Sequence, residues 1–312
     1  MSRRTRRPHR SRSSLGPLFA LLVIVAALSY WWATRPPGAR HQERASHARP
    51  PLAAGSAVAS SPAARAPADF AAPAAVRSSS APATAIPRGS NDGAGPRLAL
   101  IIDDCGQWPQ TERGFIALDV PLTLSVLPHV RYGAEIARDA HAAGKGVMLH
   151  LPMEPQSGID PGPGRITTAM DDDEIASQLR ADLAAVPLAT GVNNHEGSRA
   201  TADDRVMREV VAVLAPRGLF FIDSRTAPNT VAARDAAAAG VPTASRDVFL
   251  DNVADVASTE EQLRRAAALA RENGFAIAIG HPRPTTLAAV RALVPELRSD
   301  GIAFVLAADL VR

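Results

Sequence analysis

A single cysteine, Cys105, in a chain of 312 residues excludes an internal disulfide. It does not exclude an oxidising compartment, because a folded part of about 215 residues has core enough without such staples. No lipobox-like cysteine lies near the N-terminal apolar run, which argues against lipoprotein anchoring. No G-x-G-x-x-G follows the first apolar strand-like run, which weakens a dinucleotide-binding reading. No G-x-S-x-G elbow is present either, so a serine nucleophile fits poorly, although Ser198 close to His195 keeps that arrangement open. The formal charge of +3 conceals a further absence. Residues 1–96 hold 13 arginines and 3 acids, which leaves 21 basic and 28 acidic residues, a net of −7, for residues 97–312. The folded part therefore lacks the basic excess that a nucleic-acid binder needs.

What is present begins with six arginines in the first 12 residues, within a basic segment that runs to residue 14. Residues 15–33 are almost wholly apolar and long enough for a membrane-spanning helix, which needs about 20 residues. The run ends in Tyr30-Trp31-Trp32, aromatics suited to a membrane interface and not to a signal-peptide cleavage site. The expectation is an uncleaved single-pass anchor in the inner membrane. Its arginines would stay in the cytoplasm, with the rest of the chain in the periplasm or another extracytoplasmic space. Residues 34–96 are rich in Pro, Ala, Ser and Arg and nearly devoid of large apolar side chains, so they are expected to form a disordered tether.

From residue 97 onward short apolar runs alternate with helix-like segments. Strands are expected at 98–103, 122–127, 146–151, 189–193, 218–222, 243–249, 275–279 and 302–306. Helices are expected near 110–118, 131–143, 171–186, 203–215, 229–239, 258–272 and 284–298. Thr201 or Asp203 could start one helix, and Ser258-Thr259-Glu260-Glu261 resembles a capping box. Gly144, Gly218, Gly240, Gly274 and Gly301 stand where helices should end. Seven or eight βα units imply an α/β fold with a parallel sheet, as a compact or incomplete (β/α) barrel or, alternatively, a doubly wound open sheet.

Polar residues cluster where the strands should end. Leu98-Ala99-Leu100-Ile101-Ile102 runs straight into Asp103-Asp104, and burying two carboxylates is costly unless a cation or a proton offsets them. The pair could hold a metal beside a general base, or could cap the following helix. His150 ends the third strand with Glu154 four residues on, Asn193-Asn194-His195 end the fourth, and Asp223-Ser224 the fifth. Asp247 and Asp251 lie around the sixth, and His281 ends the seventh. In a barrel that rim is where active sites are built. His141 falls inside a helix and is expected at the surface. His129 also lies on the rim and is given a loop or orienting role in preference to a ligand's. His150, His195, His281 and the carboxylate pair suit a divalent cation such as zinc and metal-assisted hydrolysis.

The segments Ile101-Ile102-Asp103-Asp104-Cys105-Gly106, His150-Leu151-Pro152-Met153-Glu154-Pro155, Gly191-Val192-Asn193-Asn194-His195-Glu196-Gly197-Ser198, Phe221-Ile222-Asp223-Ser224-Arg225-Thr226 and Ile279-Gly280-His281-Pro282 resemble those of the divergent polysaccharide deacetylases. The resemblance covers nearly all of 97–312 and implies a distorted (β/α)7-8 barrel, related in fold to carbohydrate esterases that remove N-acetyl groups from chitin and peptidoglycan. In those esterases the first aspartate of a similar pair is the base and the second binds metal, roles that would fall to Asp103 and Asp104. Two histidines four apart are ligands there; here the second position is Glu154, and His195 could supply the missing ligand. A late strand-end histidine, the catalytic acid, corresponds to His281. The usual Arg-Pro-Pro-Tyr segment is absent.

The resulting expectation is a zinc-type metal held by Asp104, His150 and His195, with Asp103 as base and His281 as acid. Asn193, Asn194, Ser198 and Arg199 would contact an envelope polysaccharide, and Glu154 and Asp223 are additional candidates. Convergence of the three ligands on one point separates this reading from a non-catalytic, membrane-tethered module that binds glycan or a partner protein. A glycosidase would need two rim carboxyl groups about 5–9.5 Å apart.

Overall fold

The computed structural model describes residues 95–312. The expected anchor at 15–33 and tether at 34–96 lie outside the described residues; among those described, no helix is long and apolar enough to cross a membrane. Nine strands follow one another as β1 (Arg97–Cys105), β2 (Thr123–Val126), β3 (Gly146–Met153), β4 (Gly191–Glu196), β5 (Phe220–Asp223), β6 (Thr243–Ser245), β7 (Val248–Phe249), β8 (Phe275–Gly280) and β9 (Ala303–Val305). Between them run α1 (Pro109–Ile116), α2 (Gly133–Ala142), α3 (Asp172–Ala185), α4 (Asp204–Leu214), α5 (Ala232–Ala238), α6 (Val256–Asn273) and α7 (Pro284–Ser299). All seven expected helices are present. Asp203 starts α4, accepting from the N–H groups of Arg205 and Val206. The capping box expected at Ser258 is replaced by a cap three residues earlier, where Asp255 accepts from the Ser258 N–H. The five helix-ending glycines all have positive φ.

Every strand pairing is parallel, in the order β6-β5-β4-β3-β2-β1-β8-β7. β9 pairs with Arg97–Ala99 of β1, below the point at Ile101 where β2 takes over. The expected single strand 243–249 is instead two, and they belong to opposite ends of the sheet. The Arg246 N–H bonds to the Asp223 carbonyl beside β5, whereas the next N–H, of Asp247, bonds to the Ile277 carbonyl in β8. With its two end strands only two residues apart in sequence, the sheet must curl until those ends meet. The result is a partial barrel, not a flat doubly wound sheet.

Both faces of the sheet are apolar, as a helix-covered parallel sheet requires. Leu98, Leu100, Ile102, Leu149, Val192 and Phe221 face the helices in the larger cluster. Ala99, Ile101, Met148, Ile222, Ile277 and Ile279 belong to a smaller cluster that fills the interior and is closed below by Ala307 and Leu310. Side chains alternate between faces along a strand. Continuing the interior rows by two residues therefore gives Asp103 after Ile101, His150 after Met148, Ser224 after Ile222 and His281 after Ile279. The hydrophobic floor and the polar rim are parts of the same rows.

Away from the rim, Asp182 of α3 is fully buried. One of its oxygens accepts from Gln178 Nε2 and faces His129 Nε2, each at 2.9 Å, while the other has no partner. Burial pushes this carboxyl up to about 6. With the folded-state value above the ordinary 3.8, stability should fall as pH rises between these two values. Asp182→Asn keeps the accepting oxygen and removes the charge. It is expected to raise the thermal midpoint at pH 7 and to flatten the profile between about pH 4 and 6; a lower midpoint would contradict this assignment.

Candidate metal centre

Two adjacent strand residues should point to opposite faces, yet Asp103 and Asp104 both reach the interior. A bulge makes this so. Ile102 pairs with Leu124 and Cys105 with Val126, three steps along β1 against two along β2. Within the bulge Asp104 adopts a left-handed backbone, φ 56°. Such a conformation costs a non-glycine residue about 1 kcal/mol or more, and its use here re-aims one carboxylate beside the other. Gly106 (φ 107°) completes the turn, and a Cβ there would come within 2.9 Å of the Gly133 Cα.

Three ligand atoms then converge. Asp104 Oδ1 lies 3.2 Å from His150 Nε2 and 2.9 Å from His195 Nδ1, and the two ring nitrogens are 3.1 Å apart. His195 stands beyond Asn193 on the same face of β4, and Asn193 pairs with His150. Donors placed about 2.0–2.2 Å from a common ion lie roughly 3.0–3.5 Å from one another, so the triangle has the size of a metal's coordination face. Asp104 Oδ1 is buried and lacks a well-aligned hydrogen bond despite both nearby nitrogens, as a lone pair directed at a shared point would be. Carboxylate and imidazole are a donor set suited to zinc and similar divalent ions. In the metal-free chain the two histidines hold the Asp104 carboxyl well below its ordinary range, against the opposing effect of burial. The Asp103 and Asp104 carboxylates outweigh burial to raise His150 to about 9.

Asn193 organises the group behind this triangle. Its Nδ2 donates to Asp103 Oδ1 at 2.8 Å, and a carboxylate can only accept, so the amide orientation is fixed. Asn193 Oδ1 must then accept from His150 Nδ1, at 2.8 Å, and from Ser125 Oγ. His150 thereby keeps its proton on Nδ1 and turns Nε2 to the triangle. Asp103 Oδ2 stands 3.7 Å from His150 Nε2, and burial raises the Asp103 carboxyl above its ordinary value. On the far side, His281 Nδ1 donates to Asp251 Oδ1 at 2.9 Å, leaving Nε2 3.7 Å from Asp104 Oδ2. Asp251 is fully buried, and its second oxygen accepts from the His281 N–H and the Thr286 hydroxyl. Burial opposes a charge on His281, but the Asp251 hydrogen bond and the nearby aspartates raise it above 6.5.

Other expected residues take different places. Asn193 and Asn194, expected against sugar, are instead buried with their amides engaged inside the protein: Asn194 donates to the Glu196 carbonyl and the Thr226 hydroxyl and accepts from the Ser224 N–H. Glu154 lies outside the triangle. Its carboxylate accepts from the Thr168 N–H and hydroxyl and faces Arg199 Nε at 3.5 Å, pinning the long loop after β3. Asp223 accepts from the Arg225 N–H and the Thr230 hydroxyl, shaping the turn after β5. Ser198 Oγ accepts from the Gln156 N–H, while Arg199 is exposed beside it. His141 lies exposed on α2. Asp251 had a signal that residue type alone does not carry. β7 and β8 pair at a constant offset of 30 residues, Val248 with Ala278 and Phe249 with Ile279, and the same offset sets Asp251 opposite His281.

Comparison with known proteins places the chain in a family. The profile of the divergent polysaccharide deacetylases matches residues 100–311. YibQ of Escherichia coli (strain K12) is 39% identical over 204 residues, 65% of this chain. A Haemophilus influenzae protein is 33% identical over the same length, 65% of this chain and 73% of its own. The match spans 64% of the Escherichia coli relative's length, just under two thirds. Among solved structures, one of a protein from Agrobacterium tumefaciens C58 superposes with a TM-score of 0.68 at 26% identity, covering 72% of this chain and 92% of that one.

Proposed function

Since this chain belongs to the divergent polysaccharide deacetylases, we propose that it hydrolyses N-acetyl or O-acetyl groups on an envelope polysaccharide such as peptidoglycan. Asp104, His150 and His195 would hold a divalent cation, zinc first among the candidates. The observation that carries this reading is the convergence of their three ligand atoms between two unlike groups, Asp103 on one side and the His281–Asp251 pair on the other. A bound divalent ion would lower the pKa of water and polarise the acyl oxygen. Asp103 accepts the proton of the attacking water at Oδ2, the oxygen that Asn193 leaves open. His281 gives its Nε2 proton to the departing amine or alkoxide as the bond to the acetyl carbon breaks, and Asp251 keeps the ring oriented for that transfer. Ser198 and Arg199 stand on the loop after β4, where a sugar could reach them. The apolar composition of residues 15–33, followed by the Pro-, Ala-, Ser- and Arg-rich residues 34–96, supports a position of this domain outside the cytoplasm.

The test is direct. The purified chain should carry about one divalent ion and release acetate from peptidoglycan or chitin oligomers; a chain that retains no divalent metal overturns the proposal. Asp251→Ala is expected to lower kcat by roughly tenfold or more, because a residue that orients a reacting ring contributes on that scale. Its pH profile carries a second sign. Asp251 raises His281, so its loss should move the basic limb of kcat to lower pH. A falling kcat with an unmoved limb would leave Asp251 a purely structural part.

A further inference from the structure

The rim next to the proposed centre carries two guanidinium groups that the hydrolytic step does not use. Arg225 follows β5 in a left-handed backbone, φ 51°, and its side chain is exposed. Arg246 lies in the two-residue link between β6 and β7 and is half-buried. Its Nε donates to the Ser224 carbonyl at 2.8 Å and one Nη2 hydrogen to the Arg225 carbonyl at 3.2 Å. Its guanidinium carbon stands 5.2 Å from the centre of the Phe249 ring, and that ring is in turn 5.2 Å from the ring of His281. One aromatic side chain thus separates Arg246 from the proposed acid.

The group is fixed yet incompletely used. Arginine has five N–H donors in a rigid fork, and the Nη1 end of this one makes no hydrogen bond within the described residues. No carboxylate among those residues comes within ion-pair distance of either guanidinium, although Asp103, Asp223 and Asp247 act on Arg246 from farther away. The two arginines line one cleft with Thr226, Ala227, Pro228 and Asp247. Asp247 is the one acid in that lining, and its Oδ2 is taken by the Ile277 N–H. Burial and the nearby Arg225 lower the Arg246 guanidinium, against the opposing pull of the more distant aspartates. The net negative charge of the folded part does not prevent this at short range, since screening limits it to about 8 Å at physiological salt.

We infer that Arg246 and Arg225 form an anion subsite for a carboxylate on the sugar, so that the substrate is an acidic glycan and not a neutral one. The inference rests on the glycan-hydrolase reading above and narrows its substrate class. A planar carboxylate matches the open side of the Arg246 fork. Phe249 stands between that fork and the His281 ring, 5.2 Å from the guanidinium carbon and 5.2 Å from the imidazole.

The test uses the full chain carrying Asp103→Asn, so that binding is read without turnover. It is titrated by calorimetry with N-acetylglucosamine oligomers and with equally long oligomers alternating N-acetylglucosamine and N-acetylmuramic acid. The acidic oligomer is expected to bind about tenfold or more tightly, with the difference shrinking as salt rises. Adding Arg246→Gln or Arg225→Gln should collapse that preference while thermal melting shows a folded chain. Equal affinity for the two oligomers overturns the subsite, as does a preference that survives both arginine variants. Acetate release by the unsubstituted chain is scored separately: release from the neutral oligomer with no acidic preference upholds the hydrolase and rejects the subsite. Acidic preference without acetate release from either oligomer does the reverse.

Discussion

Asp104→Asn is expected to strip the chain of its divalent metal and to abolish acetate release. The substitution preserves shape and removes the one anionic member of a triangle whose other corners are neutral or cationic imidazoles. Groups that merely orient a ligand cost 10- to 100-fold in metal affinity when removed, so loss of a ligand charge should cost at least about a hundredfold. Turnover should fall by roughly a thousandfold or more, since the ion would supply both the activated water and the stabilisation of the oxyanion. A linked expectation concerns protons. In the metal-free chain His150 is raised to about 9 and is protonated at neutral pH. Zinc must displace that proton, so affinity should climb with pH toward 9 and calorimetry in buffers of different ionisation enthalpy should register its release. The metal-free fold has the opposite sign. A folded-state value above the ordinary 6.5 means that this group stabilises fully below 6.5 and ceases to do so as pH rises through 9. Metal analysis after dialysis decides the first point; an Asp104→Asn chain that still holds one ion per molecule would remove Asp104 from the ligand set.

Asp103→Asn is expected to separate metal binding from catalysis. Asp103 Oδ2 is 3.7 Å from His150 Nε2, against 3.2 Å for Asp104 Oδ1, and no second histidine approaches it within ion-pair distance among the described residues. The variant should retain its ion, yet lose about 10²–10⁴ in kcat, the range that a positioned general base contributes. If metal and activity disappear together, Asp103 is a ligand and the division of labour within the pair is wrong. If activity persists, the base lies elsewhere.

How much of this could be read from the sequence depended on what decides each feature. Seven of the eight expected strands and the seven helices were legible because apolar runs, the Asp203 cap and helix-ending glycines are local signals. His150, His195 and His281 were legible as rim residues because each continues a strand. The geometry of Asp103 and Asp104 was not. Alternation along a strand assigns neighbours to opposite faces, and only the bulge against β2, with Asp104 at φ 56°, brings both inside. Asn193 and Asn194 carry amides that suit sugar hydroxyls, and nothing local states that they are buried; tertiary burial made them scaffolding for Asp103, His150 and Ser224. The stretch 243–249 reads as one strand because its length suits one and Val248-Phe249 close it, although Ser245-Arg246-Asp247 interrupt its apolar pattern. Its division between the two ends of the sheet is a property of closure, which no short window contains.

That division has a mechanical consequence. Ser245 and Val248 are anchored to opposite margins of the sheet, and the link between them spans at most about 10 Å when fully stretched. The margins are therefore leashed: the mouth can breathe by no more than the slack in Arg246 and Asp247. Whatever binds at the rim must therefore do so without prising the two margins apart, because two peptide units of the chain itself set the limit of that opening.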